Sequence, residues 1–189
     1  REWYVSCAGL KLASVASVLG VRFTDRIVLD VGSSTGGFID YALKHGAKKV
    51  YAVDVGTDQL YPDLRRDSRI ELYEKTDIRD FVPDEAPDIV LIDVSFISLR
   101  QILPHLASIC QDTTLIVAMV KPQFEAARQQ LGNSGVIKND TIRRQILRDF
   151  EAWSAKLFVT VDKADSAVAG ARGNRERFYA LKVAKPTTR

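Results

Sequence analysis

Four residues, Lys11, Asp93, Lys121 and Glu176, have the types and placement to move a proton from a hydroxyl during group transfer. A lysine beside carboxylates can hold such a hydroxyl, orient it and relieve it of its proton. Lys11 precedes the first apolar strand run, Asp93 ends the fourth, Lys121-Pro122 follows the fifth and Glu176 opens the last. Positions so widely spread can meet only above the central strands of one sheet. A Lys-Asp-Lys-Glu cluster is expected there, with Lys121 as base or hydroxyl activator, Asp93 and Glu176 as its orienters and Lys11 as substrate positioner. For any one of them alone, the competing reading is a surface ion pair of little energetic consequence.

A second constellation describes what the cluster would work beside. The run Asp30-Val31-Gly32-Ser33-Ser34-Thr35-Gly36-Gly37-Phe38 turns from a strand into a helix and exposes backbone N–H groups near a helix N-terminus, which suits a nucleotide-like ligand. It is not a Walker loop, because no Gly-Lys-Ser/Thr follows, and Ser33 and Ser34 break the G-x-G-x-x-G spacing. With Asp30 in front and no charged anchor for a pyrophosphate, the turn fits a cofactor that carries an amino acid where a dinucleotide carries phosphates. Asp54, ending the next strand run, stands where a carboxylate takes two ribose hydroxyls. Asp77, after the third strand run, can accept from an exocyclic amine. In this order the residues describe S-adenosylmethionine rather than a nicotinamide: Asp30 and Gly32 near the methionine part, Ser33, Ser34, Gly36, Gly37 and Phe38 completing the turn, Asp54 at the ribose, Asp77 at the adenine and Asp93 at the border with the transfer cluster. The competing reading of the turn is packing of helix on sheet. No metal site is expected, since His45 and His105 have no metal-ligand company and read as capping or surface residues.

The elements that must position these residues follow from the apolar pattern. Leu12, Val15, Ala16 and Leu19 recur at helical spacing up to Gly20. Strand runs at 26–31, 50–56, 70–73, 89–94 and 115–120 alternate with helical stretches at 38–45, 99–110 and 142–157, the last capped by Asn139 or Asp140. Two further strands, at 158–161 and 177–183, are joined by a loop too short for a crossover helix and should be antiparallel. The expected fold is α/β, a doubly wound, mostly parallel sheet with one antiparallel strand near the C-terminus. Ligands bind such sheets beyond the carboxyl ends of the strands, where Asp30, Asp54 and Asp93 converge.

Composition narrows the classes. Hydrophobic residues at 46% and charged residues at 27% suit a globular chain, and no apolar run is long enough for a bilayer. The two cysteines, Cys7 and Cys110, support neither a disulfide framework nor a zinc cluster and point to a reducing cytoplasm. The net charge of +3 is uneven, because eight Lys/Arg face three Asp/Glu from Lys156 onward. That excess, with Arg172, Arg175 and Arg177 around Glu176, is compatible either with a polyanionic partner or with a solvated face. Arg143, Arg144 and Arg148 are either an RNA-facing patch or the wet side of their helix, and Trp3 and Tyr4 either stack on a base or pin the segment before Lys11.

The strings Leu29-Asp30-Val31-Gly32-Ser33-Ser34-Thr35-Gly36-Gly37-Phe38, Tyr51-Ala52-Val53-Asp54-Val55-Gly56, Ile92-Asp93-Val94-Ser95-Phe96-Ile97-Ser98 and Val120-Lys121-Pro122-Gln123-Phe124-Glu125 resemble the TlyA family. That family belongs to the FtsJ-like ribose 2′-O-methyltransferases and is also labelled hemolysin A. The resemblance runs over essentially the whole chain. It implies a Rossmann-like methyltransferase fold and S-adenosylmethionine-dependent methylation of a cytidine 2′-hydroxyl in ribosomal RNA, with ribosomal RNA or ribosomal subunits as partners. It also implies a small RNA-binding domain ahead of this one, so residues 1–8 are expected to be the remnant of a linker and 9–189 the methyltransferase domain. Family catalytic positions map onto Lys11, Asp93, Lys121 and Glu176. Two departures stand out: Ser6-Cys7-Ala8-Gly9 where the family usually has Ser-Arg-Gly-Gly, and extra arginines in Arg175-Glu176-Arg177-Phe178.

Two other functions compete. One is a cofactor-binding or RNA-binding module without turnover. The other, a pore-forming hemolysin, needs an amphipathic or apolar membrane segment that the sequence does not offer.

Overall fold

The computed structural model describes residues 3–131, 135–137, 139–170 and 173–185. Strands β1 (Ile27–Val31), β2 (Lys49–Val53), β3 (Ile70–Tyr73), β4 (Ile89–Ile92), β5 (Leu115–Val120), β6 (Phe158–Asp165) and β7 (Arg177–Val183) form one sheet in the order β3-β2-β1-β4-β5-β7-β6. The first five pair in parallel, whereas β7 runs antiparallel to both β5 and β6. The single reversed strand expected from the short final connection is therefore β7, inserted between β5 and β6.

Side chains alternate between two cores, as a sheet covered on both faces requires. Val28, Val50, Ala52, Leu91, Met119 and Phe178 pack against Leu12 and Val15 of α1 (Cys7–Ala16) and Phe38 and Ile39 of α2 (Gly37–Lys44). Leu29, Tyr51, Val90, Ile116 and Tyr179 face the other way, onto Leu103 and Leu106 of α4 (Leu103–Ile109) and Leu147 and Phe150 of α6 (Asp140–Ser154). Two four-residue helices complete the set, α3 (Pro62–Arg65) and α5 (Pro122–Glu125), each opened by a proline at its first position.

Several boundaries differ from the apolar pattern. The stretch from 99 to 110 is a 3₁₀ turn, Leu99–Gln101, followed by α4, because Pro104 has no N–H to donate and belongs in a first helical turn. Helix α6 begins where expected, with the Asn139 side chain accepting from the N–H groups of Thr141 and Ile142, but it ends at Ser154. Strand β6 continues to Asp165, past Val161. Arg143 is on neither an RNA-facing nor a wet side: it is buried, donating to Asp165 (2.9 Å) and to the Arg175 carbonyl (3.1 Å). Among the described residues no helix is long and apolar enough to cross a membrane.

Candidate active site

Extending strand parity past the sheet explains why distant residues meet. Asp30 lies two positions beyond Val28, Asp54 two beyond Ala52, Asp93 two beyond Leu91 and Lys121 two beyond Met119, while Glu176 lies two before Phe178 in the reversed strand. All five therefore fall on the face that α1 covers, at one edge of the sheet. Because β7 is reversed, its start lies beside the end of β5, with Val120 opposite Arg177.

The structure resolves the expected four-residue cluster into two ion pairs. Lys11 Nζ donates to Glu176 Oε1 at 3.2 Å and lies 3.0 Å from Oε2, which is in ion-pair range but accepts no hydrogen bond. Lys121 Nζ lies 2.7 Å from Asp93 Oδ1 and donates to Ser95 Oγ at 2.8 Å. Glu176 is buried, and Gly170 packs so closely over it that an added Cβ would lie 2.3 Å from Oε1.

Beside the second pair opens a cavity of about 560 Å³, lined by Gly32, Ser34, Asp54, Gly56, Gln59, Asp77, Ile78, Asp93, Ser95, Phe96, Ile97 and Lys121 among others. Its walls are the loops after β1, β2, β3, β4 and β5. Gly32 sits at φ +81°, and a Cβ there would come within 2.0 Å of the Asp93 carbonyl oxygen, so the two loops meet only because the position is glycine. Asp54 ties its own loop to the glycine turn, accepting from Ser34 N at 2.6 Å and Gly56 N at 2.7 Å. Asp77 is gripped by Arg79, whose guanidinium donates to it at 2.7 and 3.0 Å, and this hydrogen bonding lowers its pKa.

Asp30 is not at a strand end but inside β1, 1% exposed, and neither carboxyl oxygen accepts a hydrogen bond among the described residues. Burial pushes its pKa up to about 8, with the charges of Asp93 and Asp54 adding to the rise. The Ser33 hydroxyl opposes this in part, although its hydrogen bonds run to the carbonyls of Asp30 (3.3 Å) and Val53 (3.5 Å). Asp54, Asp77 and Asp93 line the cavity, Asp30 lies buried in β1 outside its lining, and Lys121 and Arg79 already pair with Asp93 and Asp77, so Asp54 is the lining acid left without a cation among the described residues. The residues present thus fit S-adenosylmethionine, whose ammonium and sulfonium are both positive.

The expected residues do not all border this cavity. Ser33 is buried beneath the turn, Phe38 packs in the core 6.1 Å from the Phe178 ring, and Gly37 abuts α1, where its added Cβ would lie 2.1 Å from Ser6 Oγ. Gly36 takes φ +98° against Leu60 and Leu64. Ser95, Phe96, Ile97 and Gln59 line the cavity without having been singled out as site residues, although the first three lie in the 92–98 string. Phe96 is 91% exposed at φ +64°, 5.2 Å from the Phe124 ring. A left-handed backbone is unusual for a bulky side chain, and here it accompanies an almost fully exposed ring. Of the basic residues around Glu176, Arg175 is exposed, Arg177 pairs with Asp165 at 2.8 Å, and Arg172 lies outside the described residues. Tyr4 is buried against Tyr41, while Trp3 stays exposed beside Tyr61. His45 and His105 each bond a backbone carbonyl, and no group of metal-ligating residues occurs among the described residues.

The FtsJ-like methyltransferase family profile matches residues 4–183. The chain belongs to the FtsJ-like methyltransferase family. The Bacillus subtilis protein YqxC is 41% identical over 178 residues, which are 92% of this chain, and the chain spans 63% of that relative's length. The 23S rRNA (cytidine-2′-O)-methyltransferase TlyA of Campylobacter jejuni is 38% identical over 180 residues, 94% of this chain and 70% of its own. A solved Streptococcus thermophilus structure that carries a hemolysin label superposes with a TM-score of 0.93 at 42% identity, over 98% of this chain and 69% of that one. A Listeria monocytogenes structure described as an S-adenosylmethionine dependent methyltransferase, 18% identical with a TM-score of 0.67, shares the fold over 95% of this chain and all of its own.

Proposed function

We propose that this chain methylates a ribose 2′-hydroxyl, that of a cytidine in ribosomal RNA, using S-adenosylmethionine. The observation that carries this reading is the Lys121–Asp93 pair at the wall of an acid-lined cavity, with the Lys11–Glu176 pair on the same sheet edge. The TlyA relative, named for this reaction, supports the choice of substrate. When bound, the cofactor supplies an electrophilic methyl on a positive sulfur. Gly32 and Asp54, with Asp77 and Ile78 in the same cavity lining, would hold it, and Asp30 would act from its buried place in β1.

The ribose oxygen must release its proton as it becomes an ether. Lys121 Nζ, fixed from two sides by Asp93 and Ser95, is the group placed to activate that hydroxyl, and Lys11, held by Glu176, positions the ribose. Fixing both amines before the substrate arrives removes reorganisation from the reacting step. Phe96 offers an exposed ring at the cavity mouth for a base.

Transfer of labelled methyl from S-adenosylmethionine to ribosomal subunits tests the reading, with mass spectrometry locating the modified atom. Lys121→Ala should lower the rate by about 10²-fold or more. Full activity in that variant, or a methyl on a base nitrogen, would sink the mechanism. Cofactor binding by calorimetry without turnover would point instead to a binding module.

A further inference from the structure

Glu125 is a buried acid one short helix away from Lys121, and the role assignments above leave it without a task. It closes α5, and its side chain is only 1% exposed. Oε2 accepts from Ser98 Oγ at 2.6 Å, Oε1 accepts from Leu99 N at 2.7 Å, and the Arg100 guanidinium approaches Oε2 at 3.4 Å and the Glu125 carbonyl at 3.3 Å. Ser98, Leu99 and Arg100 close the loop that begins at Asp93. Ser98 also caps the 3₁₀ turn by accepting from Arg100 N at 3.1 Å.

That loop and the turn from Lys121 to Glu125 are therefore laced at both ends. Lys121 binds Asp93 and Ser95 at the cavity, Glu125 binds Ser98 to Arg100 at the rear, and the Phe96 and Phe124 rings meet between. The loop between the two ties has little regular structure to hold it. Desolvation raises the Glu125 pKa, which Ser98, Leu99 N–H and Arg100 counter, so the acid sits where burial alone would disfavour its charge. A surface acid would avoid that penalty, and a purely packing role would be filled by an apolar side chain.

We infer that Glu125 is a positioning residue for the transfer step: it anchors the rear of the 93–98 loop so that Asp93 and Ser95 hold the Lys121 amine in line with the reacting hydroxyl. It touches neither substrate nor cofactor. The inference rests on the function proposed above, because it assigns Glu125 through Lys121.

The test uses the full chain, ribosomal subunits and labelled S-adenosylmethionine, with kcat and KM measured separately. Glu125→Ala should lower kcat by about tenfold or more, as expected when a supporting contact to the reacting group is lost. The cofactor Kd by calorimetry should move by less than about threefold. Glu125→Gln keeps an acceptor for Leu99 N–H and a polar partner for Ser98, and should restore most of the loss, a rescue that the side chain's volume alone does not explain if Glu125→Leu fails to match it. Should Glu125→Ala not fold, Ser98→Ala reads the same tie from the other side, and combining it with Glu125→Gln should cost less than the sum of the two. A kcat within about twofold of wild type in Glu125→Ala, or in Ser98→Ala where the former does not fold, or a loss confined to KM, overturns the inference. Lys121→Ala separates the two levels. If it is inactive while the Glu125 or Ser98 variants are fully active, the positioning role alone fails; if it is fully active, the functional reading fails and takes this one with it.

Discussion

Over β1, β2 and β4 the sheet edge gathers three carboxylates, and the innermost, Asp30, faces no cation and accepts no hydrogen bond among the described residues, the Ser33 hydroxyl offsetting its burial only in part. Over β5 and β7, only two strands away, the acid buried to a similar degree, Glu176, is met by Lys11, and Lys121 is met by Asp93. The same fold thus leaves one buried acid uncompensated and provides a partner for the other. The first arrangement waits for positive charge to arrive with a ligand. The second carries its own charge balance and leaves the lysines as fixed tools. On the function proposed above, binding and transfer would divide along the edge by how each half treats buried charge, with Asp93, paired to Lys121, at the border between them.

Breaking the balanced half should have the largest effect. Lys11→Met leaves Glu176 buried and unpaired, which costs about 3–5 kcal/mol. The double variant Lys11→Met with Glu176→Gln removes both charges and should recover most of the melting temperature while methyl transfer stays lost. Thermal melts beside the transfer assay would read this, and a double variant that remained as unstable as the single would show that the pair does not account for the loss.

The unbalanced half should respond in the opposite direction. The folded Asp30 pKa, about 8, lies above the ordinary carboxylate value, so below pH 4 both folded and unfolded chains hold this proton. As pH rises towards 8 the unfolded chain releases it and the folded chain retains it, so stability falls across that window. Asp30→Asn removes this penalty. Its melting temperature should exceed that of the wild type by several degrees at pH 8, with the gap closing towards pH 4. Its affinity for S-adenosylmethionine should drop by about tenfold or more, because the negative charge that a cationic ligand would draw from Asp30 is gone while a neutral carbonyl acceptor remains. A gap that stays constant with pH would mean that Asp30 carries no such charge penalty.

The smallest effect belongs at the mouth. Phe96→Gly removes an exposed ring and relieves a left-handed backbone, so stability should stay level or rise by about 1 kcal/mol. KM for ribosomal RNA should rise severalfold with kcat and cofactor affinity nearly unchanged. An unchanged KM would remove the ring from substrate contact and confine recognition to the two halves compared above.

How far this division was legible in the sequence depends on the type of feature. Strand runs ending in aspartate, the glycine turn and the antiparallel final pair follow from local patterns, and they gave the fold and the sheet edge. Parity even forecasts which face the acids and lysines share. What local patterns do not contain is partner choice. Nothing in the sequence pairs Lys11 with Glu176 and Lys121 with Asp93, since any of the four can meet any other until β7 takes its register beside β5. Asp30 looked like a strand-end acid because the apolar run reads the same whether the strand stops at residue 30 or 31. Asp30 is 1% exposed, on the sheet face against which α1 and α2 pack. Phe96 stood in the 92–98 string without a role of its own, because nothing in an aromatic between Ser95 and Ile97 announces the left-handed backbone, φ +64°, and the exposure it has in the fold.

The ion pair between α1 and the start of β7 joins residues 165 positions apart. The acid-lined cavity, by contrast, draws on residues 31 to 121 alone. Contacts across long sequence separations form late, because the intervening chain must first be ordered. A refolding chain should therefore recover affinity for S-adenosylmethionine before it recovers methyl transfer. As the chain is synthesised, Lys11 and Glu176 come together only when β7 has slotted between β5 and β6.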